Sequence, residues 1–163
     1  MHESKNKGLT IDSLFDTLVN TNKSTTKLLE EFTNMVLNVE LLEQFPFSIK
    51  KGSFLKRQTL LFFYSIQKPV IYSESIINLY RIKVRQKDML SKGTIAIGRV
   101  FRNQVIDKRN ITIEKISSNF VKDKLCCNSS EFYFKQYDMF IDDEPIGVIK
   151  EFFCNETIQR VNP

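Results

Sequence analysis

Histidine is nearly missing from this chain, and its absence removes whole classes of chemistry. The only one of the 163 residues that is a histidine is His2, beside the first methionine, at a position expected to be mobile. A Ser-His-Asp triad, a Cys-His nucleophile pair and a histidine-based metal site are thereby excluded. Cysteine is scarce too: Cys126, Cys127 and Cys154 contain no C-x-x-C spacing, so zinc-ribbon and thioredoxin-type sites have no basis. Two of the three are adjacent and cannot form an easy local disulfide; an odd, sparse count suits a reducing compartment. Glycine (5) and proline (4) are too few for a fibrous or low-complexity chain. No G-x-G-x-x-G or P-loop occurs, so a nucleotide cofactor has no support. No apolar run reaches the ~18 residues needed to cross a bilayer. The start, Met1-His2-Glu3-Ser4-Lys5-Asn6-Lys7, lacks the apolar centre of a signal peptide. The expectation is an intracellular or organellar protein with no membrane insertion.

What is present is ordinary for a globular domain: 42% hydrophobic and 26% charged residues. A length of 163 residues predicts one domain over 1–163, with a core at about 10–155. The net charge of +5 arises from charges scattered among acids, not gathered in blocks, which argues against nucleic acid as partner. A modest positive balance also suits a small anionic ligand.

Hydrophobic spacing predicts a helix over residues 10–20, with Ile11, Leu14, Phe15, Leu18 and Val19 on one stripe. A second short helix follows, capped by Ser24 or Thr25. Strands are predicted at Met35–Leu42, Leu55–Ser65, Val70–Asn78 and Arg109–Ile116. Arg85–Ser91 reads as a helical turn, 117–130 as a polar loop, and the tail after Glu156 as loose. Phe132–Ile141 and Ile146–Cys154 form a hairpin around Asp142-Asp143-Glu144-Pro145. Two helices followed by about six strands on short loops predict an α+β fold with an antiparallel sheet.

Two residues break the apolar pattern. Arg57 shares a strand face with Leu55, Thr59, Leu61 and Phe63, so alternation aims its guanidinium inward. Such a group needs an anion or hydrogen-bond acceptors. A buried salt bridge, or an arginine that snorkels to water, satisfies the same pattern. Glu151 shares a face with Gly147, Ile149 and Phe153, which is costly without compensation unless the strand lies at an edge and faces solvent. Arginine and carboxylate together would suit a small carboxylic acid bearing a hydroxyl group. Gly98 and Gly147 each mark either a close backbone approach or a tight bend.

Several segments, in order, resemble those of chorismate pyruvate-lyases. Ser24-Thr25-Thr26-Lys27-Leu28-Leu29 resembles the Ser-x-Thr-x-x-Leu start, and Arg57-Gln58-Thr59-Leu60-Leu61 the Arg-x-x-Leu-Leu strand. Pro69 to Ser75 is similar to the Pro-x-x-x-Ala-Glu-Ser strand, and Ala96-Ile97-Gly98-Arg99 to the Pro-Leu/Ile-Gly segment. Arg109 matches an arginine opening the next strand. Glu144 to Phe153 resembles the terminal Pro-Leu-x-x-Ile-x-Glu-x-Phe hairpin. The branch most similar is the cyanobacterial and red-algal plastid-encoded one. Ala96 stands where the family usually has proline, and Lys135 where it usually has arginine.

The resemblance implies a six-stranded antiparallel sheet with helices on one face and helical flaps over an enclosed ligand site. It implies a carbon–oxygen lyase that turns chorismate into 4-hydroxybenzoate and pyruvate with no metal or cofactor. By position, Arg57 would bind the ring carboxylate, with the backbone at Thr25 and Ile97 and the neighbouring Gly98 helping. Glu151 would face the ring 4-hydroxyl. A monomer in the chloroplast stroma, or otherwise the cytoplasm, serving quinone head-group synthesis is the implied setting. The alternative is a catalytically silent aromatic-acid binder of the same fold. That fold also serves as the effector domain of bacterial transcription regulators, but their winged-helix module of roughly 60–70 residues would not fit beside this domain.

Overall fold

A computed structural model describes residues 10–162; His2 and its predicted mobility lie outside the described residues. Helix α1 (Ile11–Asn20) is capped by the Thr10 hydroxyl and α2 (Thr25–Thr33) by that of Ser24. There follow β1 (Asn38–Ile49), β2 (Gly52–Phe62), β3 (Pro69–Asn78), a 3-10 turn (Leu79–Arg81), α3 (Val84–Ser91) and α4 (Ile97–Val100). Strand β4 (Ile106–Ser117), α5 (Asn119–Leu125), β5 (Glu131–Ile141), β6 (Glu144–Phe153) and α6 (Asn155–Gln159) complete the order.

The strands form one antiparallel sheet in the order β1-β2-β3-β6-β5-β4. The α+β class and the six strands match the expectation. The predicted hairpin is β5–β6, closed by Asp142 and Asp143, both at positive φ as a two-residue primed turn requires. Strand β1 runs seven residues past the predicted Leu42 and carries Pro46, which an edge strand tolerates because it pairs on one side only.

The inner face of the sheet carries two apolar clusters. At one end Leu14, Leu18 and Leu29 of the first two helices pack on Leu61, Ile71 and Phe153. At the other, Leu90 and Phe101 pack on Leu55, Ile77 and Ile149. Between them β2 passes from Leu61 through Thr59 and Arg57 to Leu55, and β6 from Phe153 through Glu151 to Ile149. Four polar residues in that interval share one ladder: Thr59 pairs with Ser73, Ser73 with Glu151, and Glu151 with Lys135; Arg57 lies on the ladder beside it, opposite Ser75. All four are buried. A buried polar row between two apolar clusters is the feature that positions the site.

Three expectations are corrected. Helices do not keep to one face: α5 lies on the outer face, where Val121 and Leu125 cover Leu60, Tyr72 and Phe152. This helix occupies the stretch read as loop, and Ser118 caps it. The tail is not loose: Ile158 and Val161 join the first cluster, and the Arg160 guanidinium donates to the carbonyls of Pro69, Leu125 and Cys126. Apolar packing therefore continues past the core end expected at 155.

Candidate functional site

A cleft of about 570 Å³, its open mouth included, lies over the polar row. Arg57, Glu151, Thr25, Ile97 and Gly98 all line it, together with Leu61 and Ile149. The structure thus gathers every candidate residue, although Arg57 and Glu151 come from β2 and β6 with β3 between them.

Arg57 is 2% exposed, as its strand alternation predicts. Its Nη2 donates to the carbonyls of Gly93 (3.4 Å) and Ile95 (3.3 Å), both long contacts. Its Nε is buried with no partner. Among the described residues it makes no salt bridge, so neither a buried ion pair nor a solvent-reaching arginine describes it. Burial without a counter-charge pulls the guanidinium pKa down to about 10. This group has donors to spare and lacks an anion.

Glu151 is not at an edge. Strand β6 lies between β3 and β5, and Glu151 is 4% exposed. Its carboxylate is held by hydroxyls: Thr25 Oγ1 donates to it (2.8 and 3.0 Å to the two oxygens) and Tyr137 donates to Oε1 (2.8 Å). Burial and this carboxylate push the Tyr137 phenol well above its ordinary pKa, so it stays a donor.

Thr25 is the first residue of α2 and Ile97 the first of α4, positions whose N–H groups have no partner within a helix. The two helix starts touch where Gly98 faces Thr26: a Cβ on Gly98 would fall 2.7 Å from Thr26 Oγ1. An Arg99–Glu30 ion pair fastens α4 to α2 beside this contact. Gly98 therefore serves helix–helix approach. Gly147 serves strand approach, because a Cβ there would meet the Ile76 carbonyl oxygen at 2.3 Å.

The sequence reading missed Lys108 and Tyr137. Lys108 is 6% exposed, and its ammonium donates to Thr25 Oγ1 (3.3 Å) and sits 4.2 Å over the Tyr137 ring. Burial lowers its pKa, and Glu151 opposes that effect. Lys135, fully buried next to Glu151 on the ladder, donates to the carbonyls of Leu18 (2.8 Å) and Thr21 (2.6 Å). Its pKa falls to about 8, first through burial and then through Lys108. Arg109, by contrast, lies outside the cleft, paired with Asp107 and Asp143. Cys127 and Cys154 are buried in the outer-face cluster, away from this chemistry.

Comparison with known proteins speaks to the fold and to the family. The fold is similar to that of the effector domain of PhnF from Mycobacterium smegmatis, with TM-score 0.63 and 9% identity over 83% of this chain and 91% of that one. It is also similar to the ligand-binding domain of a putative GntR-family regulator from Bordetella bronchiseptica, with TM-score 0.54 and 9% identity over 72% and 84%. At such identity these likenesses carry the fold alone. No curated protein matches the chain by sequence. A family model described as "Chorismate pyruvate-lyase Rv2949c-like" matches residues 18–161, nearly the whole described chain and every residue of the cleft. The chain belongs to that Rv2949c-like chorismate pyruvate-lyase family.

Proposed function

We propose that this protein is a chorismate lyase, releasing 4-hydroxybenzoate and pyruvate from chorismate without a cofactor. The observation that carries the reading is Arg57: a buried guanidinium with an unpartnered Nε and no carboxylate, in one cleft with a hydroxyl-held carboxylate. Bidentate arginine–carboxylate pairing fixes a planar acid firmly. Arg57 then takes the ring carboxylate, and the backbone at Thr25 and Ile97 supports it. Glu151 faces the ring hydroxyl at the opposite end.

The reaction balances within the substrate. The ring C–O bond to the enolpyruvyl group breaks, the neighbouring ring carbon loses its hydrogen, and the enolpyruvyl methylene gains one to become the methyl of pyruvate. Aromatisation drives the step, so no oxidant or metal is called for. The protein contributes orientation of the side chain over the ring and electrostatics at the departing oxygen. Leu61 and Ile149 keep water from the ring, with α2 and α4 as flaps over an enclosed ligand. In this reading one domain acts as a monomer in the plastid stroma, and its product feeds a quinone head group.

Similarity to regulator ligand-binding domains favours a second reading, a binder of an aromatic acid without turnover. Incubating purified protein with chorismate and following both products by chromatography separates the two. Equal amounts of 4-hydroxybenzoate and pyruvate from wild type, and none above background from Arg57→Ala, are expected. Saturable 4-hydroxybenzoate binding with neither product formed would establish the binder instead.

A further inference from the structure

The charges in the cleft do not balance. Arg57, Lys108 and Lys135 stand against Glu151 as the one carboxylate in the polar row and the cleft lining. No salt bridge among the described residues involves any of these four groups. Buried charge without compensation is costly, and a bound ligand is the natural source of the missing negative charge. A ligand with one carboxylate neutralises half of the excess of two positive charges. A ligand with two neutralises it entirely.

The three cations are not equivalent. Lys135 spends two of its donors on the Leu18 and Thr21 carbonyls, which fixes its head outside the cleft lining. Arg57 and Lys108 both line the cleft. Lys108 spends only one of its three donors, on Thr25. Arg57 stands on β2 and Lys108 on β4, four strand spacings apart in the sheet, or ~19 Å between their backbones. Their long side chains enter one cleft from separate strands, the Arg57 head at the Gly93 and Ile95 carbonyls and the Lys108 head at Thr25, so each can meet a different group of one small molecule.

We infer that Lys108 is a second carboxylate-binding residue, and that the ligand is a dicarboxylate held by Arg57 at one end and by Lys108 at the other. Resting on the lyase reading, this assigns the enolpyruvyl carboxylate of chorismate to Lys108. It makes Lys108 the residue that distinguishes substrate from product, because 4-hydroxybenzoate has lost that carboxylate.

The test uses ligands that cannot react, so it does not depend on turnover. Binding of 4-hydroxybenzoate and of 3-(carboxymethoxy)-4-hydroxybenzoate, which adds an ether-linked carboxylate, is measured by calorimetry for wild type, Lys108→Met and Lys108→Arg. Wild type is expected to prefer the dicarboxylate by ~10-fold or more, the scale of one charge-assisted contact. Lys108→Met should erase that preference by weakening the dicarboxylate far more than 4-hydroxybenzoate, and Lys108→Arg should restore much of it. A preference that survives in Lys108→Met overturns the inference. So does an equal weakening of both ligands, which would make Lys108 a structural support of Thr25. The two readings fail separately. Wild type with no turnover but a Lys108-dependent preference refutes the lyase alone; turnover with an unchanged KM in Lys108→Met refutes the role of Lys108 alone.

Discussion

Replacing Arg57 by methionine should stabilise the empty protein and destroy its ligand binding. The side chain is 2% exposed, carries no counter-charge and is held by two carbonyls at 3.3–3.4 Å. A base whose pKa falls on folding opposes folding wherever it is charged, and with a folded value of about 10 that includes all of the neutral range. At 1.36 kcal/mol per pKa unit the displacement corresponds to about 3 kcal/mol. Losing the two long contacts offsets about 1 kcal/mol of this. Methionine keeps the length and apolar character of the stem, so the cleft wall stays filled. The net gain is ~2 kcal/mol, which in a domain of this size raises Tm by ~4–8 °C.

Binding should move the opposite way. Removing one partner of a buried charge-assisted pair costs ~2–5 kcal/mol, so 4-hydroxybenzoate affinity should fall by ~30-fold or more. Thermal unfolding and titration calorimetry on the same two preparations measure both quantities. A lower Tm together with retained affinity would refute the reasoning. It would make Arg57 a strut for the Gly93–Ile95 segment, not an anion site.

Other substitutions separate roles within the cleft. Glu151→Gln keeps an acceptor for Tyr137 but removes the charge proposed to face the ring hydroxyl; kcat should drop ~10–1,000-fold in the chromatographic assay with 4-hydroxybenzoate binding retained, and full activity would exclude a role for the charge. Gly147→Ala drives a Cβ to 2.3 Å from the Ile76 carbonyl oxygen, which is backbone and cannot yield, so chemical denaturation should show a loss of ~2 kcal/mol or more. Gly98→Ala meets only the Thr26 and Ser24 side chains, so stability should change less while activity falls as the start of α2 shifts beside Thr25. Lys135, with a folded pKa of about 8, sheds a proton above that pH which the unfolded chain retains to ~10.4. The unfolded state then binds more protons, so stability rises between those values, by at most ~1.4 kcal/mol per pH unit. Lys135→Met should flatten the rise in Tm measured from pH 8 to 10.

The two residues that broke the apolar alternation were legible because strands β2 and β6 are long and otherwise regular. A polar side chain flanked by apolar neighbours at i±2 has no other way to point. Lys108 left no such mark. Strand β4 is an edge strand whose alternation is mostly polar on both faces, and only Ile106 and Lys108 at its start reach the cleft. Reading the strand from Arg109 hid both. Tyr137 looked like one more member of an apolar run, and only β6 laid beside β5 brings its hydroxyl to Glu151. Helices α5 and α6 have seven and five residues, too short for a periodic stripe to show, and their place is set by tertiary burial of Val121, Leu125 and Ile158. The Ser118 cap was the one local signal for α5.

The shared sheet and the separate chemistry fit together through charge. At 9% identity to the PhnF effector domain, what persists is the sheet and its helices, and neither fixes a ligand. In this chain a cleft over the polar row is lined by two cations, Arg57 and Lys108, from separate strands. A binder of a simple aromatic acid has use for one cation opposite one carboxylate. Two cations on separate strands hold a dicarboxylate at both ends, so the second contact forms at high effective concentration once the first is made. Cleaving the ring C–O bond divides that ligand into two monoanions, each left with a single anchor, and the linkage between the contacts is gone. Substrate would then be gripped more tightly than either product by the same residues, without any movement of the protein. In this arrangement the bond that the reaction breaks is also the bond that made the ligand bind well, and release follows from the chemistry itself.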